Sequence, residues 1–188
     1  MKKTYALLGV GLILLIMAGV SWRLRDRNSI VNTQPVRPPA ATQTGLSQHA
    51  SLEGQPVLLK IPSLNMTLPI INGAYDAKTH QWTLSLDKVQ YAVMTPLPNN
   101  QAGNTFLYGH YRSEVFARLH EIPAGAQASV DTQNGHTFTY QLTSVRVTSP
   151  TDTSLFKYKG PPILTIQTCS GLFFQHRQLF TFKLVKAV

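Results

Sequence analysis

The segment ILTIQTCSG, residues 163–171, indicates both how this chain folds and where its chemistry lies. Its β-branched and leucine residues predict a buried strand, and the Ser-Gly pair after Cys169 predicts a turn. Cys169 ends the strand and is the only cysteine in the chain. A single thiol excludes an intrachain disulfide and a cysteine-rich zinc site. The thiol at the end of this strand therefore needs another explanation.

Similar short apolar or alternating segments recur on both sides of this strand, separated by turn signals. Two of them flank Asn134-Gly135, a dipeptide typical of a tight hairpin. About eight strands at short spacing predict an all-β barrel or sandwich. One helix is predicted over residues 113–122, with Ser113 as its N-cap. The predicted strands are VLLKI, MTLPII, QWTLSL, NTFLYG, QASVDT, HTFTYQLTSVRVTS, PILTIQTC and QLFTFKLVKA.

The net charge of +9 is unevenly distributed along the chain. Residues 1–51 carry six Lys/Arg against one acid, and residues 52–188 carry eleven against seven. More than half of the excess therefore flanks one apolar segment, and no basic run is interleaved with aromatic residues. This pattern disfavours a nucleic-acid partner and favours an anionic membrane or cell-wall surface.

The N-terminal segment YALLGVGLILLIMAGVSW, residues 5–22, contains no charged residue. At ~1.5 Å rise per residue it is just long enough to cross a hydrocarbon core of ~30 Å. A cleaved signal peptide is the alternative, but no clear small-x-small cleavage site follows. We therefore predict a membrane anchor with basic flanks over residues 1–27. The Pro-, Thr- and Gln-rich residues 28–51 predict a disordered linker, and the folded domain is predicted over 52–188.

Three side chains suited to acyl transfer lie at or beside predicted strand ends. His110 follows NTFLYG, Cys169 ends PILTIQTC, and Arg177 precedes QLFTFKLV. A barrel can bring such ends together on one rim. A thiolate is a strong nucleophile, an imidazole transfers protons near neutral pH, and a guanidinium can hold a carbonyl or stabilise an oxyanion. These residues are therefore candidate catalytic groups.

Alternatives to each of these assignments remain open at the level of the sequence. A lone cysteine is often a small buried hydrophobe, so Cys169 could be inert. His120 is the rival base, and Arg112 is the rival guanidinium. Only geometry can decide between these candidates.

The segments around the three candidates resemble the sortase family. TIQTC, residues 165–169, resembles the sortase signature Thr-Leu-x-Thr-Cys, with Ile166 in place of leucine. LYGHY, residues 107–111, is similar to the strand-Gly-His segment that supplies the sortase histidine. HRQLFTFKLV, residues 176–185, resembles the segment where the catalytic arginine opens the last strand. The resemblance covers about residues 52–188.

The resemblance implies an eight-stranded sortase-type β-barrel with one or two short helices, preceded by an N-terminal transmembrane helix and a flexible linker. It also implies a cysteine transpeptidase that cuts an LPxTG-like sorting signal between Thr and Gly through a thioacyl-enzyme on Cys169. His110 would serve as general acid and base, and Arg177 would hold the substrate and the oxyanion. Thr168 would help to line the pocket. Phe173 and Phe174 would line an apolar groove for the Leu-Pro part of the signal, or simply pack their loop.

The resemblance also implies the partners and the location of the protein. The expected partners are surface proteins with a C-terminal sorting signal and an amine acceptor from peptidoglycan or its precursor. The expected location is a bacterial cell membrane, crossed once, with the catalytic domain on the extracytoplasmic face. No cofactor is expected, and no metal, because the acidic residues of the predicted domain stand singly.

The sortase class is less well determined than the family. The single predicted anchor is closest to a housekeeping-like sortase or to classes D, E and F. A pilin-polymerising sortase is one alternative function. A catalytically inactive, membrane-tethered β-barrel that only binds its partner is the other.

Overall fold

Strands dominate the computed structural model, which describes residues 50–78 and 81–188. The predicted anchor and nearly all of the predicted linker lie outside the described residues. No helix in the described part of the chain combines the length and the apolar character needed to cross a membrane.

Eight strands of the described chain close into a barrel, which confirms the predicted all-β barrel. Their order around the barrel is β1-β2-β5-β6-β9-β10-β8-β7, and β3 and β4 form a separate two-stranded sheet. The strands are β1 (Pro56–Ile61), β2 (Met66–Gly73), β3 (Tyr75–Asp76), β4 (Gln81–Trp82), β5 (Val89–Ala92), β6 (Asn104–Tyr108), β7 (Gln127–Thr132), β8 (Thr137–Thr148), β9 (Ile163–Ser170) and β10 (His176–Ala187). Short 3₁₀ helices span Pro62–Leu64, Ala117–Glu121, Ser154–Lys157 and Leu172–Phe174.

The prediction that QWTLSL forms a strand of the barrel was wrong. Only Gln81–Trp82 of that segment forms a strand, and it pairs with β3 outside the barrel. Its place in the barrel is taken by β5, Val89–Ala92, which pairs in parallel with β2 and antiparallel with β6. All four residues of β5 are buried. A strand this short and buried on both faces shows no polar-apolar alternation, so its pattern could not be recognised.

The predicted hairpin at Asn134-Gly135 is confirmed. Strands β7 and β8 pair antiparallel on either side of it. Gly135 has a φ of +86°, a conformation that glycine adopts without steric cost.

The helix predicted over residues 113–122 was also wrong in type and extent. Turns precede a 3₁₀ helix that begins only at Ala117, and the Ser113 hydroxyl bonds the Glu114 carboxylate instead of capping a helix. The backbone N–H of Phe116 donates to the carbonyl of His110, at 3.2 Å. The segment therefore bonds back to the residues before it. Val115, Phe116 and Leu119 of this segment are nevertheless buried.

The strands around the candidate site have two apolar faces. Leu107, Ile166 and Phe180 point into the barrel and belong to its main core. A second, smaller cluster covers the outer face of the same strands. It consists of Ala92, Phe106, Tyr108 and Leu179, with Trp82, Leu155 and Phe156 packed against it.

Candidate active site

The pairing register of β9 and β10 brings Cys169 and Arg177 together. The two strands are antiparallel, and Cys169 is the direct cross-strand partner of Arg177. Side chains at such paired positions lie on the same face, with Cβ atoms about 4.5–5.5 Å apart. The Cys169 side chain is partly exposed, as a reactive thiol requires.

His110 lies just beyond the end of β6, the other neighbour of β9. Strands β6 and β9 are parallel, and their last aligned pair is Tyr108 with Gln167. The Gly109 N–H then donates to the Gln167 carbonyl, at 3.1 Å. Two residues further along both strands, the same register puts His110 level with Cys169. The barrel thus brings the three predicted catalytic residues to one end of adjacent strands.

A groove of about 830 Å³ opens beside Cys169 on the outer face of the barrel. Phe106 and Tyr108 of β6 line it, together with Cys169 of β9 and Arg177 of β10. Residues from the β3–β4 hairpin and from the β8–β9 loop also line it, including Tyr75, Trp82, Leu84, Asp152 and Phe156. His110 is not among the described residues that line this groove.

Trp82 joins the two walls of the groove. Its ring centroid lies 5.2 Å from that of Tyr108 and 5.8 Å from that of Phe156. The Tyr108 hydroxyl lies 3.5 Å from the hydroxyl of Thr83, the next residue after Trp82. A Cβ on Gly73, the last residue of β2, would overlap the Tyr108 hydroxyl, so only glycine leaves room for the tyrosine at this point. Burial raises the pKa of Tyr108, which keeps this contact uncharged.

The β8–β9 loop is held in place through Asp152. Its carboxylate accepts hydrogen bonds from the Ser154 N–H at 2.9 Å and the Thr148 hydroxyl at 2.7 Å. Arg146 forms an ion pair with it at 3.0 Å. The bonds to Ser154, then that from Thr148, hold the pKa of Asp152 well below its usual range. Asp152 is therefore charged when it fixes this wall of the groove.

The Arg177 guanidinium is held by backbone oxygens of the β9–β10 loop. Nη1 donates to the carbonyls of Phe174 and His176, at 3.1 and 3.0 Å. Within residues 50–78 and 81–188, Arg177 forms no ion pair. Its charge therefore remains available to a substrate carbonyl or a developing oxyanion.

Of the three residues predicted to contact substrate, Thr168 lines the groove, whereas Phe173 and Phe174 do not. Thr168 is 2% exposed, lines the groove and donates its hydroxyl to the Gly109 carbonyl. Phe173 and Phe174 are 86% and 54% exposed and are not among the described residues that line the groove. The Phe174 ring instead lies 6.1 Å from the ring of Tyr111. Their predicted contact with substrate stays a prediction.

The rival residues are engaged elsewhere. Arg112 pairs with Glu114 at 3.4 Å. His120 Nδ1 contacts the Ala117 carbonyl, and its Nε2 lies 3.9 Å from Glu121. Neither rival is among the residues that line the groove. Arg177 lines the groove and Arg112 does not, which favours Arg177. His110 is favoured over His120 because the register of β6 and β9 puts it level with Cys169.

Sequence reasoning missed the aromatic lining of the groove. Trp82 lies in the segment that was interpreted as a barrel strand, and Phe156 lies in a loop with no regular pattern. A tryptophan in a segment flanked by turn residues was the available signal, but nothing in the local sequence says which face of the barrel it covers. Among the described residues, no cluster of three His, Cys, Asp or Glu side chains has the arrangement of a metal site.

Comparison with known proteins finds matches over most of the barrel, including the strands that carry the candidate site. The family model described as "Sortase domain" matches residues 59–185. Sortase SrtE1 of Streptomyces coelicolor is 30% identical in an alignment of 127 residues that covers 62% of this chain and 36% of that protein. The chain thus spans about a third of the length of this curated relative.

Solved structures show the same fold. The crystal structure of Sortase E1 from Streptomyces coelicolor with a tripeptide in the active site superposes with a TM-score of 0.56 at 28% identity. This match covers 71% of our chain and 90% of that one. Sortase A from Corynebacterium diphtheriae has a TM-score of 0.58 at 20% identity, over 72% of our chain and 62% of its own, and shows a likeness of fold.

Proposed function

Because the chain belongs to the sortase family, we propose that it is a membrane-anchored cysteine transpeptidase that cleaves an LPxTG-like sorting signal. The observation that carries this proposal is the direct pairing of Cys169 with Arg177, both of which line the groove. A nucleophile and a fixed positive charge on one face, beside a channel for an extended peptide, suit attack on a peptide carbonyl.

The reaction would proceed in two balanced steps. His110 takes the proton of the Cys169 thiol, the sulfur forms a bond to the threonine carbonyl carbon, the Thr–Gly C–N bond breaks, and His110 gives that proton to the leaving amine. An incoming amine then attacks the thioester carbonyl, the C–S bond breaks, and His110 transfers the proton that the amine loses to the departing sulfur. Arg177 stabilises the negative oxygen in both tetrahedral intermediates.

The groove would hold the apolar part of the sorting signal. Trp82 and Phe156 are partly exposed and offer aromatic surface on which a leucine and a proline side chain can pack. The predicted N-terminal anchor would keep the enzyme on the extracytoplasmic face of a bacterial membrane, where exported surface proteins meet the amine of peptidoglycan or its precursor.

The test is to detect the thioacyl intermediate on the full-length protein. Incubation with an LPxTG peptide should give a mass adduct corresponding to the peptide up to its threonine. Cys169→Ala should lose the adduct and at least ~10³-fold of transfer to an amine, because the remaining site lacks a nucleophile. An adduct that persists on Cys169→Ala would contradict the proposal.

Ser170→Ala is the matched control, because it removes the neighbouring hydroxyl on the same strand. The adduct should persist in this variant. Native alkylation of Cys169 by iodoacetamide separates the enzyme from the inactive binding module. A thiol that neither reacts with this reagent nor forms the adduct would favour the binding module.

A further inference from the structure

One buried hydrogen bond connects the residue before the candidate base to the residue before the candidate nucleophile. The Thr168 hydroxyl donates to the carbonyl oxygen of Gly109, at 3.1 Å. Thr168 precedes Cys169, and Gly109 precedes His110. The bond thus links two segments that are 59 residues apart in sequence, immediately next to the two reacting side chains.

This bond lies where regular pairing of β6 with β9 ends. Tyr108 and Gln167 form the last aligned pair of the ladder, and the Gly109 N–H makes the backbone bond that follows. The Thr168 side chain therefore holds a carbonyl beyond the last aligned pair. It extends the connection between the two strands by one contact, toward His110.

The turn that follows His110 packs against Gly109. A Cβ on Gly109 would lie 2.8 Å from Val115 Cγ1 and 3.0 Å from the Phe116 ring. The Phe116 N–H donates to the His110 carbonyl at 3.2 Å. The backbone on either side of the His110 Cα is thus held by Thr168 from β9 and by Phe116 from the turn.

We propose that Thr168 is a positioning residue, which fixes the His110 imidazole relative to the Cys169 sulfur through the Gly109 carbonyl. This inference rests on the proposed function. It differs from the pocket-lining role that the sequence predicts for Thr168, because the hydroxyl acts on the backbone of the enzyme and not on the substrate. A displacement of about 1 Å in a catalytic group can cost ~10²-fold in rate.

The test compares variants of Thr168 in the full-length chain. Thr168→Val keeps the shape of the side chain, removes the donor and leaves the Gly109 carbonyl without this bond. We expect kcat for an LPxTG peptide to fall about 10- to 100-fold, with KM changed less than about 3-fold. Thr168→Ser keeps the hydroxyl and should retain kcat within about 3-fold of the wild type.

Thr165→Val is the matched control on the same strand. Thr165 is fully buried, and its hydroxyl has no hydrogen-bond partner in the described structure. The kcat of Thr165→Val should stay within about 2-fold of the wild type, because this variant loses no positioning bond. All assays are run well below the unfolding temperature measured for each variant, so that every variant is folded. A substitution that only lowers stability would then leave kcat unchanged.

A second readout needs no peptide and so separates this inference from the proposed function. The rate of Cys169 alkylation by iodoacetamide is measured against pH for the same variants. We expect the profile of Thr168→Val to shift along the pH axis by more than about 0.3 pH units. The His110 imidazole would be displaced in this variant, and a nearby imidazole influences how much reactive thiolate is present. Thr168→Ser and Thr165→Val should follow the wild type.

The inference is overturned if Thr168→Val follows the wild-type alkylation profile, or if Thr168→Ser deviates as far as the valine variant does. It is also overturned if the wild type turns over the peptide and Thr168→Val keeps kcat within about 2-fold. If the wild type neither forms an adduct with any sorting peptide nor turns it over, the proposed function is refuted. The alkylation profiles would still decide the role of Thr168.

Discussion

The inner and outer faces of strands β6, β9 and β10 differ in how completely they are enclosed. On the inner face, Leu107 and Ile166 are fully buried in the main core. On the outer face, Cys169 and Arg177 line an open groove and stay partly exposed. Because successive strand residues point to opposite faces, groups that stabilise the barrel and groups that act on substrate alternate along one strand. Stability and chemistry can therefore be perturbed separately by substitutions only a few residues apart.

The largest expected effect on stability comes from the inner face. Ile166→Ala should lower the free energy of unfolding by about 2–5 kcal/mol, because it leaves a cavity in a fully enclosed core. Cys169→Ala, three residues along the strand on the outer face, should change it by less than about 1 kcal/mol. Urea denaturation followed by circular dichroism measures both values. Equal losses in the two variants would remove the distinction between the faces.

A large effect on activity with little effect on stability is expected at Arg177. Arg177→Ala should reduce kcat/KM about 10²-fold, equivalent to about 2.7 kcal/mol, because a positive charge at the oxyanion is lost. Arg177→Lys should recover only part of this loss, since lysine lacks the planar fork of donors. Steady-state kinetics with an LPxTG peptide gives these values.

Arg112→Ala is the control for Arg177, because Arg112 is exposed and pairs with Glu114. It should keep kcat/KM within about 3-fold of the wild type. A loss as large as that of Arg177→Ala would transfer the anion-binding role to Arg112.

A smaller effect is expected where the outer face meets the hairpin. Trp82→Ala should raise KM about 10-fold, or about 1.4 kcal/mol, with kcat changed less than about 3-fold, because aromatic packing surface for the peptide is lost. Phe173→Ala is the comparison, since this ring is exposed outside the groove lining. A larger rise in KM for Phe173→Ala would place the apolar part of the substrate on the β9–β10 loop, as the sequence predicted.

The smallest effect concerns the pH dependence of the groove wall. The pKa of Asp152 is lowered in the folded state, so its contribution to stability is fully present above the unfolded value of 3.8. The contribution is lost as the pH falls below that value toward the lower folded pKa. Asp152→Asn should therefore lower the free energy of unfolding by about 1 kcal/mol at pH 7, and this difference should shrink below about pH 4. A difference between the variant and the wild type that stays constant down to pH 2 would contradict this role.

Much of the barrel could be predicted because its strands carry local signals. Long strands such as β8 and β10 show sustained alternation or β-branched runs, and Asn134-Gly135 marks its hairpin. The short β5 shows none of these signals, since all four of its residues are buried. The segment at 113–122 has helical spacing, but hydrogen bonds back to residues 110 and 112 replace most of the predicted helix. Local pattern thus failed where the element was short and fully buried, or where irregularly spaced local hydrogen bonds replaced those of a helix.

The sequence by itself determined the strand-rich class, the single thiol at the end of a strand, and the order of His110, Cys169 and Arg177, because these depend on residue type and local spacing. Only the tertiary structure decided that Cys169 lies opposite Arg177, that Trp82 lines the groove, and that Thr168 bonds Gly109. Those features depend on strand register and on closure of the barrel. Register and closure are fixed by the packing of residues far apart in the chain, which no local pattern records.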